Sequence, residues 1–484
     1  MKLQCLLEAA DIVVSDEMRE LEVSSIEEDS REVTQGSLFV AVTGFDTDGH
    51  QYVEQALERG AVAVVTEHGV SEDSEDSRVL VNLSGDNRKL LADISAKFFD
   101  YPWDHLISIG ITGTNGKTST SRMLAWILER HGFQTGIMGT VGHLIGGRDI
   151  TASMTTPGAL ETSRMMNQMV AAGDRCCVME VSSHALALAR VDSVRFDVGL
   201  FTNISQDHLD FHESMDEYLR CKMHLFELLK KDGRAIIGTY APGFPSLEGA
   251  ETFGIRENDT YRLSDISVEL GRVSFKLSLN GIQIPVRMNV PGRFNIFNAA
   301  GALAVAVTLG LDPYTAAESM KDFSGVPGRF ESVELGQDFL VAVDYAHTPD
   351  ALKRILQQAS ELTENRVIVV FGAGGDRDVS KRPLMGQIAD SLADIIVITS
   401  DNPRTEDPDL IIQDILRGFS SKDGLIVETD RRTAIGIAIK TAVAGDIVII
   451  AGKGHEDYQI LGKTKIHFDD REEAAAVLRK VLKC

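Results

Sequence analysis

The chain has no basic excess. Its 484 residues carry 72 acidic side chains against 48 lysines and arginines, a formal net charge of -24. Such a balance disfavours a nucleic-acid partner or an anionic membrane held by bulk charge. Any anionic ligand must be gripped by local groups working against the global field. Cysteine is scarce as well. Cys5, Cys176, Cys177, Cys221 and Cys484 contain no C-x-x-C pair, and an odd count gives no disulfide framework. A reducing cytoplasm fits. No apolar run reaches about 18 residues, so no membrane span is expected. The N-terminal stretch MKLQCLLEAADIVVSDEM holds acids and lacks a signal-like apolar core.

What is present is the composition of a soluble globular protein, 43% hydrophobic and 25% charged. At roughly 150 residues per domain, the length predicts three domains. Pattern places them at 1–102, 103–326 and 327–484. In the first, GSLFVAVTG and AVAVVTE read as strands and HQYVEQALERG as the helix between them. YPWDH, residues 101–105, reads as a linker. In the second, LISIGIT, CCVMEVSS and VGLFTNIS are apolar enough for buried strands. KTSTSRMLAWILERHG predicts a helix that stops at Gly132, and SMDEYLRCKMHLFELLKKDG predicts an amphipathic helix with its own glycine stop. VSFKLSLNGIQIPVRM alternates around Asn280-Gly281, a strong hairpin signal. NIFNAAGALAVAVTLG is a buried helix. In the third, FLVAVDYA, RVIVVFGAGG, DIIVITSDNPR, LIVETD and DIVIIAGKG are strands, each followed by a helical pattern. That is a doubly wound α/β domain. Its polar stretches DYAHTPD, GAGGDRD, SDNPRTED and AGKGHED follow strand ends, where ligands bind in such sheets.

The segment ISIGITGTNGKTST, residues 107–120, carries the clearest chemistry. A buried strand ends at Thr112 and a helix begins near Lys117. Gly113 and Gly116 let backbone N–H groups approach phosphate oxygens, and the helix N-terminus adds partial positive charge. Lys117 can reach the β- and γ-phosphates, and the Thr118 hydroxyl can bind Mg²⁺. By itself this loop says only that a nucleoside triphosphate binds. Glu180, at the end of another buried strand, is a suitable Mg²⁺ ligand. FTNISQDHLDFH puts Asn203, Asp207, His208, Asp210 and His212 beyond a third strand. Lys222 follows in a helix, and its spacing gives no reason to single it out.

Together GTNGKT, TTP at 155–157, MEVSSHAL, FTNISQDHLDFH with YLRCKMHLF, NVPGRFNIFN, GVPGRFE, DYAHTPD and GDRD…KRP resemble the Mur ligases, in order over nearly the whole chain. The loop here has the short form Gly-x-x-Gly-Lys-Thr seen in that family. The resemblance implies a small UDP-binding α/β domain, a central P-loop ATPase-like domain and a C-terminal Rossmann-like domain. It implies a reaction in which ATP phosphorylates a substrate carboxylate and an amine displaces phosphate from the acyl phosphate.

The same resemblance assigns roles. Gly113, Thr114, Asn115, Gly116, Lys117, Thr118 and Ser119 would hold ATP phosphates, with Asn295 and Asn298 near adenine and Arg329 on the phosphates or ribose. Thr118, Glu180, His208 and Lys222, the last as a CO₂-derived carbamate, would hold Mg²⁺; Lys117, Glu180, His208 and Lys222 form the implied catalytic set. Ser30, Phe45, Asp46, Thr47, Thr155, Thr156, Ser182 and Arg190 would contact a UDP-MurNAc-dipeptide. Leu188 stands where some members have glutamine. SDNPR resembles the signature of members using meso-diaminopimelate. Arg377, Asp401, Asn402, Pro403, Arg404, Gly452 and Glu456 would bind that amine donor, Arg404 gripping its distal carboxylate with two parallel hydrogen bonds. A cytoplasmic monomer acting on these small molecules is expected. Folylpolyglutamate synthetase, a relative, would not be expected to carry the UDP-binding domain or DNPR, and a P-loop switch protein would need no dense polar edge on a C-terminal sheet.

Overall fold

A computed structural model describes the chain except for residues 9, 11, 13, 45, 46, 68–75, 210, 421–423, 483 and 484. The chain forms two compact units, Met1–Phe253 with Ala304–Leu309, and Gly254–Leu303 with Gly310–Cys484.

The first unit contains a sheet of four parallel strands, Ser25–Glu27, Ser37–Val40, Ala63–Thr66 and Val79–Val81. The expected helix over HQYVEQALERG is a 3₁₀ turn, Gly49–Tyr52, running into the α-helix Val53–Glu58. The unit's other strands run in the order Glu251–Gly254, Leu229–Gly238, Phe196–Phe201, Ile107–Thr112, Cys176–Glu180, Thr135–Met138, His143–Ile145, Arg148–Ile150. Ile107–Thr112 lies between two parallel neighbours, with Thr112 beside Phe201 and Ile111 beside Glu180. Three carboxyl ends therefore coincide at one edge, the place where open α/β sheets bind ligands. Helix Lys117–Arg130 follows the central strand, and Gly132, at φ +80°, continues the chain beyond its end.

YPWDH, read as a linker, is ordered: Pro102–His105 is a 3₁₀ turn with Pro102 and Trp103 buried. One expectation fails here. The predicted long helix from Ser214 stops early. It is α-helical over Met215–Met223, tightens to a 3₁₀ turn over His224–Leu228, and becomes the strand Leu229–Gly238. Gly233 is thus a strand residue. Pairing with Phe196–Phe201 outweighs the local helical pattern of LLKKDG.

In the second unit, Tyr261–Val268, Val273–Leu279 and Ile282–Met288 form an antiparallel meander. Asn280 and Gly281, at φ +49° and +81°, make the expected tight turn. The other sheet runs Glu331–Ser332, Leu340–Asp344, Ile447–Ala451, Val367–Phe371, Ile395–Ile398, Leu425–Val427, with only the first strand antiparallel. Alternate residues serve two cores. Ala342, Val369 and Ile449 pack with Leu356, Met385 and Ile412. Val343, Ile368 and Ile450 pack with Ile435, Ile439 and Leu478. Both faces are covered, which is why these strands read as unbroken apolar runs. Each buried Ile, Leu or Val contributes about 1.5–3 kcal/mol. Among the five parallel strands the pattern of a following helix breaks once: Ile447–Ala451 leads into the hairpin Tyr458–Leu461/Thr464–His467, and only then into helix Asp470–Val481.

Candidate active site

In the first unit the Gly113–Thr118 loop is shaped by two glycines, at φ +137° and +84°. A Cβ on Gly113 would collide with the Thr202 hydroxyl. The Thr202 hydroxyl donates to the Asn115 carbonyl at 2.7 Å, and the Asn203 side chain bonds both the N–H and the carbonyl of Asn115. The strand after Phe201 thus fixes the loop. Lys117 Nζ donates to the carbonyls of Gly113 and Thr114, at 2.8 and 3.0 Å. Lys222 is 1% exposed, and its Nζ donates to the same Gly113 carbonyl at 2.9 Å. Burial, and then the neighbouring Lys117 charge, hold the Lys222 amine well below the ordinary lysine range. Lys222 Nζ also sits 4.5 Å from the centre of the Tyr218 ring, against which His208 packs edge-on. His208 is exposed, at φ +52°, and packs on His184 as well.

Glu180 is 1% exposed. Its carboxylate accepts from the hydroxyls of Thr118 (2.9 Å) and Thr140 (3.0 Å) and from Thr140 N–H (3.0 Å). A Cβ on Gly139 would fill the space of Glu180 Oε1. This is an oxygen-lined cradle. Among the described residues no three His, Cys, Asp or Glu side chains cluster as a metal cage. Few protein ligands and oxygen donors suit Mg²⁺, which keeps waters and substrate phosphates in its shell. Ser119 lies buried in the first turn after the loop. Sequence reading missed Thr140, because a threonine 40 residues from Glu180 carries no local signal.

Nearby, Thr156 Oγ1 donates to the Glu180 carbonyl (2.8 Å) and accepts from Ser182 N–H (3.1 Å). Thr155 and Thr140 share a hydroxyl contact of 3.1 Å. Arg190 donates to the Thr156 carbonyl at 3.1 Å, so these four expected contacts form one group. Burial raises the Glu28 carboxyl, partly offset by Arg190. Leu188 caps the helix Ser183–Ala187. Ser30 is buried, donating to Gln55 at 2.6 Å, and the Thr47 carbonyl accepts from Gly44 N–H. Phe45 and Asp46, like Asp210, lie outside the described residues.

In the second unit, Asn295 and Asn298 are buried and joined by a 3.2 Å side-chain hydrogen bond. Arg329 lies over the Tyr345 ring at 5.7 Å, and its Nε is buried without a hydrogen-bond partner. Asp344, raised by burial against the pull of Arg329, accepts from the N–H groups of Phe330 and Ala346.

The carboxyl ends of Val367–Phe371, Ile395–Ile398 and Ile447–Ala451 bring the remaining expected residues together. Asn402 donates to Glu456 at 2.9 Å, and the wholly buried Lys453 donates to both, at 3.3 and 3.1 Å. Lys453 escaped sequence reading although it stands in AGKGHED. Asp401 is 7% exposed; one oxygen accepts Asn402 N–H at 2.7 Å, while Oδ2 is buried without a partner. Arg404 is half-buried at φ +51°, held by Arg404 N–H to Ile460 O (3.1 Å) and Gly462 N–H to Arg404 O (2.7 Å). Its Nη1 donates to Gly375 O at 2.7 Å. A Cβ on Gly374 would lie 3.0 Å from that nitrogen and 3.9 Å from Arg377 Cγ, so both guanidinium-bearing chains converge there. A Cβ on Gly375 would collide with Pro403 O. Glu406, which could have neutralised Arg404, is paired instead with Arg382 at 2.8 Å.

Three family models match in chain order: the Mur ligase family catalytic domain over 22–98, the Mur ligase middle domain over 111–306, and the Mur ligase glutamate ligase domain over 328–454. The UDP-N-acetylmuramoyl-L-alanyl-D-glutamate–2,6-diaminopimelate ligase of Syntrophomonas wolfei is 42% identical over 492 residues, all of both chains. The protein of that name from Caldanaerobacter subterraneus subsp. tengcongensis is 44% identical over 463 residues, 95% of each. A solved structure of a ligase with that name superposes with a TM-score of 0.72 at 30% identity, covering 100% of each chain. The chain belongs to the Mur ligase family.

Proposed function

We infer that the chain is an ATP-dependent ligase that joins diaminopimelate to the D-glutamate of UDP-N-acetylmuramoyl-L-alanyl-D-glutamate, in peptidoglycan precursor synthesis. The observation that carries the ATP half is the loop itself: Lys117 and Thr118 close a six-residue loop bent at two positive-φ glycines, Gly113 and Gly116, and Thr118 is bonded to Glu180. The names of the full-length relatives support the substrates. We assign the UDP end to 1–102, ATP to 103–326 and the amine donor to 327–484.

In this reading Lys117 leaves its carbonyl partners for the β- and γ-phosphates, and the glycine-lined backbone cradles them. A substrate carboxylate oxygen attacks the γ-phosphorus and ADP departs. The amine nitrogen attacks the acyl carbon, loses a proton, and phosphate leaves. Thr118 and Glu180 would hold Mg²⁺, which when bound would supply charge neutralisation for phosphoryl transfer; we place His208 and a carbamate on Lys222 in the same set. The depressed Lys222 amine favours carbamylation, since only a neutral amine attacks CO₂. Labelled CO₂ should give a carbamate carbon resonance that vanishes in K222M. Asn295, Asn298 and Arg329 are assigned to the nucleoside. Ser30, Phe45, Asp46, Thr47, Thr155, Thr156, Ser182 and Arg190 are assigned to the UDP-sugar-peptide.

At the amine site, Arg377 and Arg404 would take the distal carboxylate, with Asp401 and Glu456 facing the ammonium. A pocket built for that carboxylate rejects L-lysine, which leaves a guanidinium unpaired. The meso isomer is the expected donor. Phosphate release measured with each substrate omitted, and with meso-diaminopimelate and L-lysine side by side, tests the reading. Release that needs neither co-substrate, or equal use of lysine, would refute it. No helix among the described residues is long and apolar enough to cross a membrane. We take the enzyme as a cytoplasmic monomer; sedimentation reads the second point.

A further inference from the structure

Three arginines crowd the Gly374-Gly375 stretch, and only two of them can serve the amine donor. Arg404 donates to the Gly375 carbonyl, and Arg377 runs past Gly374. The third, Arg382, is 1% exposed at the start of helix Lys381–Leu392. Its Nη2 donates to Glu406 at 2.8 Å and to Gly374 O at 3.4 Å, and its Nη1 donates to Asp414 at 3.0 Å. Glu406 stands two residues beyond Arg404. A Cβ on Gly375 would lie 3.3 Å from Glu406 Cβ, so Glu406 packs on the glycine whose carbonyl Arg404 holds. Yet among the described residues Arg404 makes no ion pair, and Glu406 is spent on Arg382 and on Asp376 N–H.

We propose that Arg382 is a specificity-determining positioning residue: by engaging Glu406 it keeps that carboxylate off Arg404 and leaves the guanidinium open for the carboxylate of the amine donor. The proposal rests on the reading above that Arg404 binds that carboxylate.

The two acids held by Arg382 differ in what remains when it is removed. Asp414 keeps Arg417, at 2.9 Å. Glu406 keeps only a backbone N–H, and its side chain is 31% exposed, with room to turn. The freed carboxylate would then be an intramolecular competitor for Arg404, present at far higher effective concentration than any substrate. A pair of charge-assisted hydrogen bonds is at stake, so apparent affinity for diaminopimelate should fall about 10–100-fold. The phosphate loop at Gly113–Thr118 and its Glu180 partner lie in the other unit and should be spared.

The test is a cycle of R382M, E406Q and R382M/E406Q in the full-length enzyme, with KM for meso-diaminopimelate and kcat read separately from phosphate release. Glutamine at 406 still accepts Asp376 N–H but cannot pair with Arg404 as an anion. The expected result is a raised KM in R382M with kcat little changed, and a KM in the double variant that returns to that of E406Q. If Arg382 merely supported the loop, the double variant would be as poor as R382M, and that result overturns the proposal; so does an unaltered KM in R382M. R404M in the same assay separates the two ideas. A raised KM there with no rescue by E406Q sinks the role of Arg382 alone, whereas an unaltered KM in R404M sinks the assignment of Arg404 and the inference with it.

Discussion

Replacing Gly452 with alanine should damage the amine site through a single methyl group. Gly452 has φ +121°, a conformation that L-residues adopt only with strain of about 1–3 kcal/mol. The new Cβ would also stand 2.5 Å from Asp401 Oδ2. Neither side can yield cheaply. Gly452 N–H is tied to the Asp344 carbonyl at 3.0 Å, and the other Asp401 oxygen accepts Asn402 N–H at 2.7 Å. Turning the carboxylate away breaks that bond, for roughly another 1–3 kcal/mol. At about 2–4 °C per kcal/mol for a unit of this size, the melting temperature should fall by roughly 5–20 °C. Gly336 supplies the control. It has φ +99° and open space where its Cβ would go, so G336A carries the backbone strain without the collision. Calorimetry and KM for diaminopimelate should separate the two: G452A should lose more stability than G336A and bind the amine about tenfold more weakly or worse, while G336A leaves KM alone. If both variants lost equal stability and bound the amine equally well, the argument that Asp401 is held in place for the substrate would be wrong.

Removing the Thr118 hydroxyl should raise the Mg²⁺ concentration needed for half-maximal activity about 10–100-fold, since the metal would lose a proposed ligand and Glu180 one of its orienting donors; a metal titration of T118A reads this directly. The Arg431–Asp470 pair has both side chains 0% exposed. Either R431M or D470L should cost about 3–5 kcal/mol in urea unfolding, whereas the double variant should recover most of that loss; equal loss in all three would refute pair-specific coupling. The hydrogen bond from Arg382, and then that from Asp376 N–H, hold the Glu406 carboxyl below the usual range. Its folded value lies below its unfolded one, so its contribution is present above about pH 4.3 and is lost as pH falls through the folded value. The stability gap between the native chain and E406Q should therefore shrink on acidification below about pH 4, and a constant gap would contradict the pairing.

Much of this site was legible because its causes are local. A buried strand, two glycines, a lysine-threonine pair and a helix lie within fourteen consecutive residues, so ITGTNGKTST announces its own backbone path. Asn280-Gly281 gave up its turn for the same reason. Apolar runs such as VIVVF marked strands covered on both faces. The helix drawn over LLKKDG was wrong because its competitor, the strand Phe196–Phe201, lies more than 25 residues away.

From the sequence alone came the α/β class, the phosphate loop, and the polar stretches at strand ends. Those follow from chain stiffness, side-chain period and the sterics of glycine, which act over a few residues. Only tertiary structure decided that Lys222 is buried against the Gly113 carbonyl, that Thr140 orients Glu180, and that Glu406 pairs with Arg382 rather than with Arg404. These pairings depend on the order in which strands join a sheet. That order is set by packing the whole core, and no window of neighbouring residues contains it.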